Sequence, residues 1–114
     1  MEERERRLGL NEAMFREVNE RVEDMNQTFA SVTGSFDIFC ECGDMTCTER
    51  ITVPVDLYER TRSVPTHFLL QAGHEDPTVE TVVETYEIFV VVEKEGVEVE
   101  RVAEQTDPRR DNNE

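Results

Sequence analysis

Three cysteines fall within eight residues, Cys40-Glu41-Cys42-Gly43-Asp44-Met45-Thr46-Cys47, and the chain has no others. Cys40 and Cys42 sit too close together for an unstrained disulfide, and an odd number does not suit a disulfide framework. A tetrahedral metal ion uses such a set better, taking three thiolates from one loop and a fourth donor from elsewhere. Two histidines can supply that donor. His74 lies in the loop-like Gly73-His74-Glu75-Asp76-Pro77, and His67 in Pro65-Thr66-His67-Phe68, at the mouth of a strand. His74 is preferred, because Gly73 frees the backbone and Glu75 or Asp76 can orient a ring nitrogen. The expected site is therefore Cys40, Cys42, Cys47 and His74 around one structural zinc, with backbone N–H groups near Gly43 and Asp44 reaching the sulfurs. An iron–sulfur cluster on the same ligands is the lesser alternative.

A closed Cys3His set keeps no position open for water, so no catalysis is expected from it. A thiol-based redox or metal-responsive regulator is the alternative function. It needs a neighbourhood that stabilises thiolates, whereas Glu41, Asp44 and Glu49 are acidic and should raise the thiol pKa values. A Cys47–His74 nucleophile pair is a third arrangement, which three clustered thiols suit poorly. The sequence has no Gly-rich phosphate loop and no G-x-S-x-G elbow.

The elements that must position this cluster are readable from periodicity. Leu10, Met14, Val18, Val22, Met25 and Phe29 recur every three or four residues, which predicts a helix over residues 9–28 with Phe15 beside its apolar stripe. That stripe is expected to cover a sheet; the alternative is a homodimer through the N-terminal helix. Arg16–Glu20 and Glu17–Arg21 are spaced for ion pairs on its exposed side. Residues 31–35 read as a loop. Phe36-Asp37-Ile38-Phe39-Cys40 and Arg50-Ile51-Thr52-Val53 read as strands entering and leaving the cysteine loop, in the manner of a metal-binding hairpin. Pro54 can open a short helix whose inner side is Leu57, Tyr58 and Thr61, and Val64-Pro65 ends it.

Phe68-Leu69-Leu70 predicts a buried strand, and Ile88-Phe89-Val90-Val91-Val92 the strongest, central one. Val79 to Thr85 fits helix or strand, and Val97 to Glu104 an edge strand or a short helix after a turn at Glu95-Gly96. His67 itself reads as a packing residue. The sum is one α+β domain: an amphipathic helix on a small, mainly antiparallel sheet with a Cys-rich hairpin loop. Residues 1–8 form a charged arm, 9–104 the domain, and 105–114 a flexible polar tail in which Arg109 and Arg110 are frayed.

The 114 residues include 27 acids and 12 bases, a net charge of −15. Binding to nucleic-acid phosphates or an anionic membrane depends on clustered Lys and Arg, so neither is expected. No apolar run approaches a membrane span, the charged N-terminus leads into no signal-like segment, and a cytoplasmic protein is expected. Between Glu75 and Glu104 ten acids face only Lys94 and Arg101. This is expected to be a solvated face; the functional alternative is a docking surface for a basic protein partner.

Cys40-x-Cys42-Gly43-x-x-x-Cys47 resembles the zinc-binding post-SET segment of histone methyltransferases, a likeness of eight residues that implies zinc and no activity. A longer ordered series resembles a family of small uncharacterised actinobacterial proteins. It comprises Leu10-Asn11-Glu12-Ala13-x-Phe15-Arg16, Cys40-Glu41-Cys42-Gly43-Asp44, Cys47-Thr48-Glu49-Arg50-Ile51, Pro65-Thr66-x-Phe68, Gly73-His74-Glu75, Val90-Val91-Val92-Glu93-Lys94 and Thr106-Asp107-Pro108-Arg109. Spanning nearly the whole chain, that likeness implies one undivided domain and carries no activity with it.

Overall fold

The computed structural model describes residues 2–26 and 32–109. The two predicted strands beside the cysteines form an antiparallel pair, β1 (Ser35–Phe39) and β2 (Arg50–Pro54), with Phe36 opposite Val53 and Ile38 opposite Ile51. Period-2 alternation sends those four side chains inward and leaves Asp37 and Thr52 outside. Pro54, at φ −66°, is the residue on which α2 (Val55–Arg62) starts. Its expected inner side is buried, Leu57, Tyr58 and Thr61 together with Arg62.

A second, three-stranded antiparallel sheet has the order β3 (His67–Gln71), β5 (Phe89–Lys94), β4 (Glu80–Thr85). The stretch 79–85, open between helix and strand on the sequence, is the strand β4, with a bulge between Val82 and Glu84. The predicted central strand is central. Its residues alternate between two apolar clusters: Phe89 and Val91 join Phe36, Ile38, Ile51, Val53, Leu57, Tyr58 and Leu69. Val90 and Val92 turn the other way, to Phe68, Leu70, Ala103, Cys40 and Cys42. Burial on both faces explains why Phe89 to Val92 reads as an unbroken apolar run, while Ile88, expected to open the strand, lies before it and is exposed. The chain then forms α3 (Val97–Gln105), so the helical reading of residues 97–104 holds.

The N-terminal helix α1 runs Glu2–Met25, so it takes in residues 2–8 of the arm assigned to residues 1–8. Phe29 and Ser31 lie outside the described residues. The apolar stripe faces the opposite way from the expectation. Leu10 is 43%, Met14 44%, Val18 37% and Met25 78% exposed, and the face laid on the domain is Glu12, Ala13, Arg16, Asn19 and Glu23. Only Val22 and Phe15 keep part of the expected role, half-buried.

The inward polar groups find specific partners. Arg16 gives Nη1–H to the Pro65 carbonyl at 2.5 Å and Nη2–H to the Ala103 carbonyl at 2.7 Å, and lies over the Phe68 ring at 4.3 Å. It is therefore not the partner of Glu20, while Glu17–Arg21 does form on the surface at 3.4 Å. The Lys94 ammonium is buried between Glu12 and Glu80, which removes Glu80 and Lys94 from the solvated acidic face.

Residues 105–109, assigned to the polar tail, are docked. Asp107 is buried, and Arg109 ties Glu20 at 3.0 Å to Glu59 at 2.9 Å, clamping α1 to α2. Arg110 lies outside the described residues. No helix among the described residues is long and apolar enough to cross a membrane.

Candidate metal centre

Cys40 follows β1, Cys42 and Cys47 lie in the loop to β2, and His74 in the loop from β3 to β4. The cysteine loop is shaped locally. Asp44 Oδ1 accepts the Thr46 N–H at 2.9 Å and its hydroxyl at 2.7 Å, and the Cys47 N–H reaches the Asp44 carbonyl at 3.0 Å. This aspartate-centred turn is a conformation such side chains favour. Those hydrogen bonds hold the Asp44 carboxyl below its ordinary value.

Gly43 leaves room for α1: a Cβ there would fall 1.8 Å from Leu8 Cδ1, so the Leu8 side chain would have to move. Helix α1 thus rests directly on the loop, and Asn11 adds a hydrogen bond to the Gly43 carbonyl at 3.1 Å. On the other side, Gly73 takes φ +93°, a turn conformation that β-carbons disfavour, and so swings His74 toward the sulfurs.

The four donors expected from the sequence converge. Cys40 Sγ lies 3.5 Å and Cys47 Sγ 3.7 Å from His74 Nδ1, and all four ligand atoms lie within 4.8 Å of one another. A tetrahedral zinc with bonds of about 2.3 Å to sulfur and 2.0–2.1 Å to nitrogen sets S···N edges of roughly 3.5–3.6 Å. The donor set therefore fits a single metal ion. No disulfide links the cysteines. His67 is elsewhere, at the start of β3, with Nε2 3.8 Å from Glu93. Among the described residues, this is the one cluster of His, Cys, Asp or Glu donors that could hold a metal.

Backbone amides also point at the sulfurs. The Gln71 N–H reaches Cys40 Sγ at 3.2 Å, and the amides of Asp44 and Glu49 support Cys42 and Cys47. The thiol chemistry differs from the expectation that neighbouring acids govern it. Hydrogen bonding to Cys42, then burial, pushes the Cys40 thiol far up; burial raises Cys47. Cys42 is drawn down to about 5, chiefly by its hydrogen bond with Cys40, against the pull of burial. Crowded sulfurs thus share protons among themselves, the condition that a bound cation relieves.

Glu75 and Asp76 are committed away from the ring: Glu75 accepts the Gly73 N–H at 3.0 Å, and Asp76 serves Thr78 and Arg4. A cavity of about 330 Å³ opens beside the centre, with Leu8, Glu12, Cys42, Gly43 and His74 on its walls.

One participant was missed on the sequence. Glu41, between two ligands, is fully buried and holds the fully buried Arg62 at 2.7 Å. Alternation along an extended chain was the available signal: with Cys40 and Cys42 on one side, residue 41 must point to the other. The chain matches no family model, and neither a curated protein nor a solved structure matches it.

Proposed function

We propose that this protein is a small zinc-stapled domain without catalytic activity, acting as a protein-binding or regulatory module. The observation that carries the reading is the closed donor set, in which His74 takes the fourth position that a catalytic zinc keeps for water or substrate. Mutual approach within 4.8 Å favours one ion over an iron–sulfur cluster, whose ligands sit on separate irons. Zinc here is a folding element, drawing together the β1–β2 loop, against which α1 rests, and the β3–β4 loop.

The binding role rests on the outer face of α1, where Leu10, Met14, Val18 and Met25 stand in solvent. A net charge of −15 favours a basic protein as occupant and opposes a second copy, which would carry the same charge. Elemental analysis of untagged protein purified without chelator should give close to one zinc per chain, and a chelator should lower its Tm. Iron in that assay, or no metal with three titratable thiols, would overturn the reading. A dimer in sedimentation at physiological salt would replace the basic partner with a second copy.

A further inference from the structure

Glu41 has no solvent exposure, and both of its carboxylate oxygens are hydrogen-bonded. Its Oε1 accepts the Arg62 Nη2–H at 2.7 Å and the Leu69 backbone N–H at 2.9 Å, and its Oε2 accepts the Asn19 side-chain N–H at 2.7 Å. Asn19 also grips Phe39, two residues upstream, at two points, donating to its carbonyl and accepting its N–H, both at 2.8 Å. Between these anchors lies Cys40. Its N–H goes to the Glu49 carbonyl on one side, while the following Glu41 N–H goes to the Leu69 carbonyl on the other, each at 2.9 Å.

The segment Phe39–Cys42 is thereby held in one register. A slip by one residue would turn Glu41 toward the metal and both cysteines toward Arg62, exchanging a charge for thiols in a buried pocket. A buried carboxylate facing a buried guanidinium has one low-energy partner, so the pair acts as a key for that register.

We propose that Glu41 is a positioning residue of the metal centre, and that the Asn19–Glu41–Arg62 chain makes metal binding and the seating of α1 one event. The inference rests on the zinc reading above. Residues that hold metal ligands in place typically change affinity by about 10–100-fold when altered. Glu41→Gln keeps one acceptor oxygen, removes the charge opposite Arg62 and presents an amide to the Asn19 donor. It should weaken zinc binding by about that factor. Asn19→Ala should weaken it less.

The test is competition for zinc against a chromophoric chelator, together with the absorption spectrum of the cobalt(II)-loaded protein, which reports the ligand geometry. Two comparisons separate positioning from general stability. Val53→Ala lowers stability from the apolar cluster remote from the sulfurs and should leave zinc affinity and the cobalt spectrum as in the wild type. Glu41→Met combined with Arg62→Met removes both buried charges, so it should regain stability but neither the affinity nor the spectrum. Wild-type affinity in that double variant would overturn the inference, as would an equal loss in Val53→Ala at matched Tm. If the wild type itself takes up no metal, the zinc reading has failed, and the register key with it.

Discussion

The two faces of the three-stranded sheet are closed by different means. Against β1, β2 and α2 the contact is mainly apolar, with Leu69, Phe89 and Val91 meeting Phe36, Ile38, Ile51, Val53 and Leu57, and the buried Arg62–Glu41 pair stands at its border. Toward α1, α3 and the cysteine loop, Phe68, Leu70, Val90 and Val92 meet thiols, and the buried Arg16 and Lys94 lie over the Phe68 ring. An apolar contact is graded: removing one methyl group costs a little, because its neighbours relax around the gap. A buried polar network is closer to all-or-none, since each group left unpaired carries its whole desolvation cost. Substitutions on the two faces should therefore differ in size as well as in place.

The largest effect is expected at the metal. Cys42→Ser should abolish stoichiometric zinc and lower the Tm more than any core truncation, because the metal contributes folding energy outright; an unchanged melting curve by differential scanning calorimetry would remove the metal from the account of stability. Next comes Arg62→Met, which leaves Glu41 buried without its counter-charge at 2.7 Å. Urea titration should give a loss of about 3–5 kcal/mol. On the apolar face, Ile51→Ala should cost about 2–4 kcal/mol by the same titration. If it exceeded Arg62→Met, the contrast between graded apolar contacts and the buried polar network would be reversed.

A smaller effect concerns pH. Burial pushes the Glu12 carboxyl from its ordinary 4.5 up to about 8, with Lys94 pulling it down and Glu80 pushing it up. Between those values the folded chain binds more proton than the unfolded one. Glu12 thus contributes stability in full below about pH 4.5, and that contribution is lost as pH rises toward 8. In zinc-saturated protein scanned from about pH 6 to 8.5, Glu12→Gln should flatten the decline by at most about 1.4 kcal/mol per pH unit. Glu23, which burial also raises to about 8, keeps part of the slope in the variant. The smallest effect is expected on the outer face of α1: Val18→Ser should move stability by no more than about 0.5 kcal/mol in urea. A larger loss would mean that this face is covered in solution.

The same contrast explains what could be read in advance. The ligand set was legible because three donors share one short stretch and only two histidines compete for the fourth place. The apolar core was legible too, since alternation in Phe36–Phe39 and Ile51–Val53 marks which side chains turn inward, and the unbroken run Phe68–Leu70 marks a strand buried on both faces. Periodicity revealed α1 but put the wrong side of it against the domain. It weighs apolar residues only, whereas α1 is seated by Arg16 on Pro65 and Ala103, Glu12 on Lys94, and Asn19 on Phe39 and Glu41. Those partners lie far apart in sequence, so no local pattern links them. The docked Arg109 escaped for the same reason, its acids being Glu20, Glu23 and Glu59.

The Glu41–Leu69 pairing has a consequence for association between chains. Strand β3 bonds to β5 along one side, and on its other side Leu69 gives both backbone groups to Glu41 while the Gln71 N–H is spent on Cys40 Sγ. The cysteine loop thus caps a strand, His67-Phe68-Leu69-Leu70-Gln71, whose sequence would otherwise invite edge-to-edge pairing with another molecule. At the far side of the sheet, β4 guards its own edge with glutamates and a bulge. Unseating the loop would leave β3 as the unguarded edge, so a metal-depleted chain should be lost to aggregation through β3 before it is lost to simple unfolding.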